Sequence, residues 1–303
     1  MKLSVVCMLL VLGTPLASRA QELEASYQGL QDAQTKGDPA AVKKLAGETS
    51  ALARKAAAEP APQDAADKDA WTKRVEYAKG IDAQTEYALY ATAVKSPPAV
   101  MADLLAALEA QNPQCKYLDQ AYGSYLYALS QTGGTARIPQ VAEKALTNFP
   151  ENTDLLLVMT NSSFAGKQSD KAQEYATRLI AAWEKKARPE GVAEDDWQKQ
   201  KDSSLGRGYW VTGMVAAEKN QYAAVDKSLR AALPLIKSDN AMMAAALFYL
   251  GTANYNLGKA AASKAKVLDG AKFSQQCAAI PGAMAAQASK NATVMKAEAA
   301  RMR

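Results

Sequence analysis

Apolar residues recur along this chain three and four positions apart, in stretches rich in Ala, Leu, Tyr and Met, and polar segments carrying Gly or Pro separate the stretches. No run shows the alternating Val, Ile and Thr pattern of strands, so the fold class predicted is all-α. Breaks fall at Lys36-Gly37-Asp38-Pro39, Pro60-Ala61-Pro62, Ser96-Pro97-Pro98, Asn112-Pro113, Gly133-Gly134, Pro150, Pro189-Glu190-Gly191, Pro234 and Pro281, leaving segments of helix or hairpin length between them. Asp38 before Pro39 predicts a helix start, because Asp accepts hydrogen bonds from orphan amides and Pro is tolerated at the first helical position. Residues 67–93 and 99–111 read as one hairpin.

The spacing of the breaks carries the next inference. Pro113 to Pro150 is 37 residues, Pro150 to Pro189 is 39 and Gly213 to Gly251 is 38, and a fixed period of a few tens of residues marks a stacked array. Each unit divides in two. One runs from Tyr209 through Glu218, turns at Lys219-Asn220-Gln221 and resumes from Tyr222 to Leu233; the next runs through Tyr249 and Gly251, is expected to turn at Leu257-Gly258, and resumes near Ala260.

On these residues the chain resembles the tetratricopeptide repeat family. Gly213 and Gly251 match the small residue where the two helices of a hairpin touch, Ala145-Leu146 before Pro150 resembles the end of a repeat, and Ala232 matches a later small position. Departures are a period near 38 residues, Thr160 where a glycine is usual, and Val225 where an alanine is usual. The resemblance implies a helical-hairpin solenoid over 114–282, after a signal segment at 1–20 and a region of degenerate repeat-like hairpins at 21–113, and before a helical tail at 283–303. It also implies a concave groove lined by the first helix of each repeat. The groove positions are Tyr117, Gln120, Ser124 and Tyr127; Asp154, Leu157, Asn161 and Phe164; Arg207, Trp210 and Met214; and Phe248, Thr252 and Tyr255. Aromatic and Arg side chains there suit a peptide or protein ligand, with Trp210, Phe164 and Tyr127 as the main anchors; the same rings could instead fill the core between helices.

Composition narrows the chemistry. Lys2, an apolar run from Leu3 to Leu12 and Ser18-Arg19-Ala20 read as a secretory signal cleaved after Ala20, so a periplasmic or secreted location is expected. No later segment is apolar for long enough to predict a membrane span. The formal charge of +5 falls to +3 without Lys2 and Arg19, and the basic residues alternate with acidic ones, which argues against nucleic acid as a partner. With no histidine, His-based triads and His-ligated zinc are excluded. Past Cys7 only Cys115 and Cys277 remain; they read as buried thiols or as partners in an intermolecular bond. No nucleophile elbow or phosphate loop occurs, and no cofactor is expected. Glu194-Asp195-Asp196 reads as the negatively charged start of a long helix. The expected function is therefore a non-enzymatic protein- or peptide-binding scaffold, as a subunit of an envelope complex. The alternatives are a carbohydrate-binding module using the groove aromatics and a carboxylate-dependent enzyme using Glu194, Asp195 and Asp196.

Overall fold

The structure is a computed structural model and describes residues 15–302. The apolar run and Cys7 of the expected signal segment lie outside the described residues, while Arg19 and Ala20 fall inside the first helix. Among the described residues there are thirteen α-helices and no strand, as the hydrophobic pattern predicted. None of these helices is long and apolar enough to cross a membrane.

Two compact units divide the chain, Met1–Ile138 and Pro139–Arg303. The first holds α1 (Pro15–Lys36), α2 (Pro39–Ala57), α3 (Ala65–Ala93), α4 (Pro98–Gln111) and α5 (Lys116–Gln131), each packed on the next. The repeat segment expected from residue 114 thus begins inside this unit, where α5 packs on α4 and α3. The start at Asp38 is as expected: its carboxylate accepts from Ala40 N and Ala41 N, both at 3.1 Å.

The second unit holds α6 (Ile138–Ala145), which begins at the boundary, then α7 (Thr153–Ala165), α8 (Ser169–Lys185), α9 (Glu194–Glu218), α10 (Tyr222–Ala232), α11 (Asn240–Ala260), α12 (Lys264–Ala278) and α13 (Ala285–Arg301). From α7 onward every helix packs on its sequence neighbour, and the odd-numbered helices also touch in succession, α7 on α9, α9 on α11 and α11 on α13. The core of this unit runs through Ala172, Ala176, Val211, Val215, Leu229, Ala246 and Leu250.

One turn recurs. After α1, α7, α9 and α11 a residue takes a left-handed backbone conformation: Gly37, Lys167, Asn220 and Ala262, with φ of 65°, 56°, 54° and 48°. In each case the next amide reaches back five residues, Asp38 N to Ala33 O at 3.1 Å, Gln168 N to Ser163 O at 2.9 Å, Gln221 N to Ala216 O at 2.9 Å and Ser263 N to Gly258 O at 2.8 Å. After α5, Gly133 (φ 77°) and the 2.8 Å bond from Gly134 N to Leu129 O make the same turn. This bonding satisfies carbonyls that the helix end leaves open and sends the chain back antiparallel.

The helix contacts expected at glycine are present. A Cβ on Gly213 would lie 2.4 Å from Leu229 Cδ2, and one on Gly251 would lie 2.4 Å from Ser274 Oγ. The turn expected at Leu257-Gly258 falls instead at Ala261, Ala262 and Ser263. Gly258 stays inside α11 because the missing side chain serves packing there: its Cβ would meet Val267 N at 2.7 Å. Cys115 and Cys277 are buried free thiols, and Cys277 Sγ donates to Ala244 O at 3.3 Å. Desolvation is the main reason the Cys115 thiol is pushed up to about 11 and the Cys277 thiol is also raised, so neither supplies a thiolate readily.

Candidate functional site

Three of the expected groove helices, α7, α9 and α11, bring side chains together at one open pocket of about 690 Å³ in the second unit. Leu157 and Asn161 come from α7; Lys199, Asp202, Ser203 and Arg207 from α9; Leu235, Ile236, Ser238 and Asp239 from the segment between α10 and α11; and Met242 from α11. Leu157 and Asn161 are four residues apart, and Lys199, Ser203 and Arg207 follow the same interval, so each set lies along one helix face.

Arg207 is the centre of the polar arrangement. Its Nε donates to Asn161 Oδ1 at 2.6 Å, joining α7 to α9, and its guanidinium lies 4.9 Å from the ring centre of Trp210 and 5.7 Å from that of Phe164. The two rings meet edge to face at 5.2 Å. Trp210 Nε1 donates to Met242 O at 3.0 Å, which ties α9 to α11. Burial pulls the Arg207 guanidinium below its ordinary value, and the negative charge of Asp239 opposes that shift. Asp239 also caps α11, accepting from Met242 N at 2.9 Å.

Of the expected groove residues, Asn161, Phe164, Arg207 and Trp210 therefore form one cluster, with Leu157 beside it. Trp210 is only 8 % exposed and belongs to the core, so it braces Arg207 and offers no open face of its own. Met214 is half-buried against the same core, and Phe248 packs beside Leu247 and Cys277. Tyr255 donates its hydroxyl to Glu298 on α13, and Thr252 Oγ1 donates to Phe248 O at 3.2 Å within α11. In the first unit, Tyr117 stacks on Tyr90 at 5.2 Å, while Gln120, Ser124 and Tyr127 point to solvent, Tyr127 at 61 % exposure.

The pocket also takes residues that periodicity could not single out. Leu235, Ile236, Ser238 and Asp239 lie between helices, where no repeating pattern marks a lining residue; Asp239 alone had a legible signal, as an Asp heading a helix. The acidic run sits in the first turn of α9 as expected, with Glu194 paired to Arg188 at 2.8 Å and Asp196 near Lys199 at 3.8 Å. Among the described residues no group of three or more His, Cys, Asp or Glu converges as a metal site. Asn161-Ser162-Ser163 and Asn291-Ala292-Thr293 match the glycosylation acceptor tripeptide, and both lie inside helices, α7 and α13.

The class that fold and site define is an all-helical protein with a polar pocket lined by alternate helices. Comparison with protein-family models, curated proteins and solved structures returns no match to this chain.

Proposed function

We propose that this chain is an exported helical-hairpin repeat protein of the tetratricopeptide type that binds a peptide, or an extended segment of a protein partner, in the pocket lined by α7, α9 and α11. The repeat reading is supported by the recurrent left-handed turn and by the packing of alternate helices on one another. The observation that carries the binding reading is the pocket itself. Four apolar residues, Leu157, Leu235, Ile236 and Met242, stand among seven polar ones, of which Asn161, Lys199, Asp202, Ser203 and Arg207 project from α7 and α9, an arrangement that fixes the orientation of a ligand. The signal-like first twenty residues support export to the periplasm or beyond the cell.

The test is display selection of random dodecapeptides on the whole protein, followed by affinity measurement on Leu157→Trp, which fills the pocket, and on Tyr127→Ala, an exposed residue of the other unit. The selected peptides should weaken at least about tenfold on Leu157→Trp, since ordered contacts along the wall are lost, and hold on Tyr127→Ala. Equal binding to wild type and Leu157→Trp would remove the pocket from the reading. Retention on polysaccharide that is lost with Tyr127→Ala would favour a carbohydrate ligand.

A further inference from the structure

Charge is unevenly placed along this chain. Of its 36 Lys and Arg and 31 Asp and Glu, residues 259–303 hold eight and two, leaving 28 against 29 in the rest. The two carboxylates of that segment are already engaged, Asp269 with Arg230 at 3.5 Å and Glu298 with Lys259 at 2.7 Å. Within it, α13 buries Ala288, Ala292, Met295 and Ala299, and the last two pack with Val267 and Ala271 of α12. Away from that seam Lys290, Val294, Ala297 and Arg301 are all exposed, Val294 at 58 %. They follow one another at intervals of four, three and four, so they share one helix face, with exposed Thr293 and Lys296 beside them. Among the described residues no carboxylate lies within ion-pair distance of Lys290, Lys296 or Arg301; the nearby Glu298 is turned to Lys259 and Tyr255.

We propose that this face of α13 docks on an anionic lipid surface, with Lys290, Lys296 and Arg301 among the head groups and Val294 at the edge of the acyl layer. Cations interspersed with an exposed aliphatic side chain suit a helix that lies in the plane of such a surface, and no helix among the described residues is long and apolar enough to cross it. Lys264, Lys266 and Lys272 on α12 add to the same field, because helices in contact lie about 8–10 Å apart, on the order of one Debye length at physiological salt. Between the cations stand short side chains, Ala286, Ser289, Ala297 and Ala300, so the face is shallow. A shallow cationic face reads charge density rather than the shape of one partner, and a layer of anionic head groups supplies that density over the roughly 25 Å that a 17-residue helix spans. The inference is independent of the pocket between α7, α9 and α11.

The test is co-sedimentation of the whole protein with vesicles of phosphatidylcholine alone and of phosphatidylcholine mixed with phosphatidylglycerol. Binding is expected only to the mixed vesicles and should fall steeply as salt rises from about 20 to about 300 mM. The triple variant Lys290→Gln/Lys296→Gln/Arg301→Gln should bind them at least about tenfold more weakly, since each cation near the surface contributes roughly fivefold. Lys55→Gln/Lys79→Gln/Lys95→Gln makes the same charge change on exposed residues of the other unit and should leave binding unchanged. Circular dichroism checks that both triple variants stay helical, and Val294→Ser should weaken binding by less than the loss of the cations. No binding to the mixed vesicles at low salt, equal binding to the two kinds of vesicle, or equal losses in the two triple variants overturns the proposal. Binding to duplex DNA as tight as to the mixed vesicles, with the same dependence on Lys290, Lys296 and Arg301, would also overturn it and make the face a general polyanion site.

Discussion

The α9–α10 and α11–α12 hairpins close with the same left-handed turn but cross at different heights. Gly213 lies seven residues before Asn220 and its neighbour Leu229 nine after, whereas Gly251 lies eleven before Ala262 and its neighbour Ser274 twelve after. The second crossing is thus about one helical turn further from the bend. The chemistry of the contact differs too. A Cβ on Gly213 would press chiefly on the branched end of Leu229, at 2.4 Å from Cδ2 and 2.5 Å from Cγ, while one on Gly270 would meet backbone, Gly251 O at 2.8 Å and Tyr255 N at 2.9 Å. Helices that touch through backbone have no side chain able to yield; helices that touch through a leucine do. In α7–α8, Thr160 stands seven residues before Lys167 and Ala176 nine after, and both are fully buried. The size order is reversed relative to Gly213 and Leu229 at the same register.

The largest effect expected from breaking this comparison is at Gly270. Gly270→Ala should lower the stability measured by urea unfolding by about 2 kcal/mol, since backbone overlap forces the helices apart. Gly213→Ala should cost less, because the overlap at Gly213 falls chiefly on a side chain, Leu229, that can shift, whereas at Gly270 it falls on backbone; the helix-propensity gain of Ala is common to both sites. Equal losses at the two sites would mean that the crossings are not distinguished by what the glycine faces.

The turns supply a second test of intermediate size. Ala262 holds a φ of 48° with a Cβ in place, a strain that glycine would relieve. Ala262→Gly should stabilise the protein by about 0.5–1 kcal/mol in the same assay, and Asn220→Gly by less, because asparagine tolerates that conformation better. A loss on Ala262→Gly would contradict the turn.

The smallest effect concerns the contact of α11 with α13. Hydrogen bonds from Lys259, at 2.7 Å in the ion pair, and then from Tyr255 hold the Glu298 carboxyl below the usual carboxylate range. A carboxyl lowered in the folded state contributes above its ordinary value and loses that contribution as pH falls through the folded value. The Tm advantage of wild type over Glu298→Gln should therefore be small at neutral pH and vanish as the pH falls through the lowered folded value. An advantage that grows with acid would reverse the assignment.

Much of this arrangement was legible before the fold was known. The Asp38 cap, the helix from Glu194, the turn at Asn220 and the close approach at Gly213 each follow from local chemistry. The bend after α11 was not legible, because Gly258 carries the same letter whether it serves a turn or a helix contact, and Ala262 gives no turn signal. Trp210 shows the matching limit at the site: its register places it on the helix face nearest α7 and α11, but its burial depends on Met242 and Phe164 reaching it.

By itself the sequence determined the helical class, the order of most helices and the positions where two of them must touch, because these depend on intervals of three or four residues and on single small side chains. The tertiary structure alone decided which carbonyls each turn satisfies, which aromatic rings are core, and that Arg207 stands beside Asn161, Phe164 and Trp210 with no carboxylate paired to it among the described residues. Those outcomes depend on residues from separate helices sharing one volume, and burial and charge balance are properties of that volume rather than of any stretch of chain.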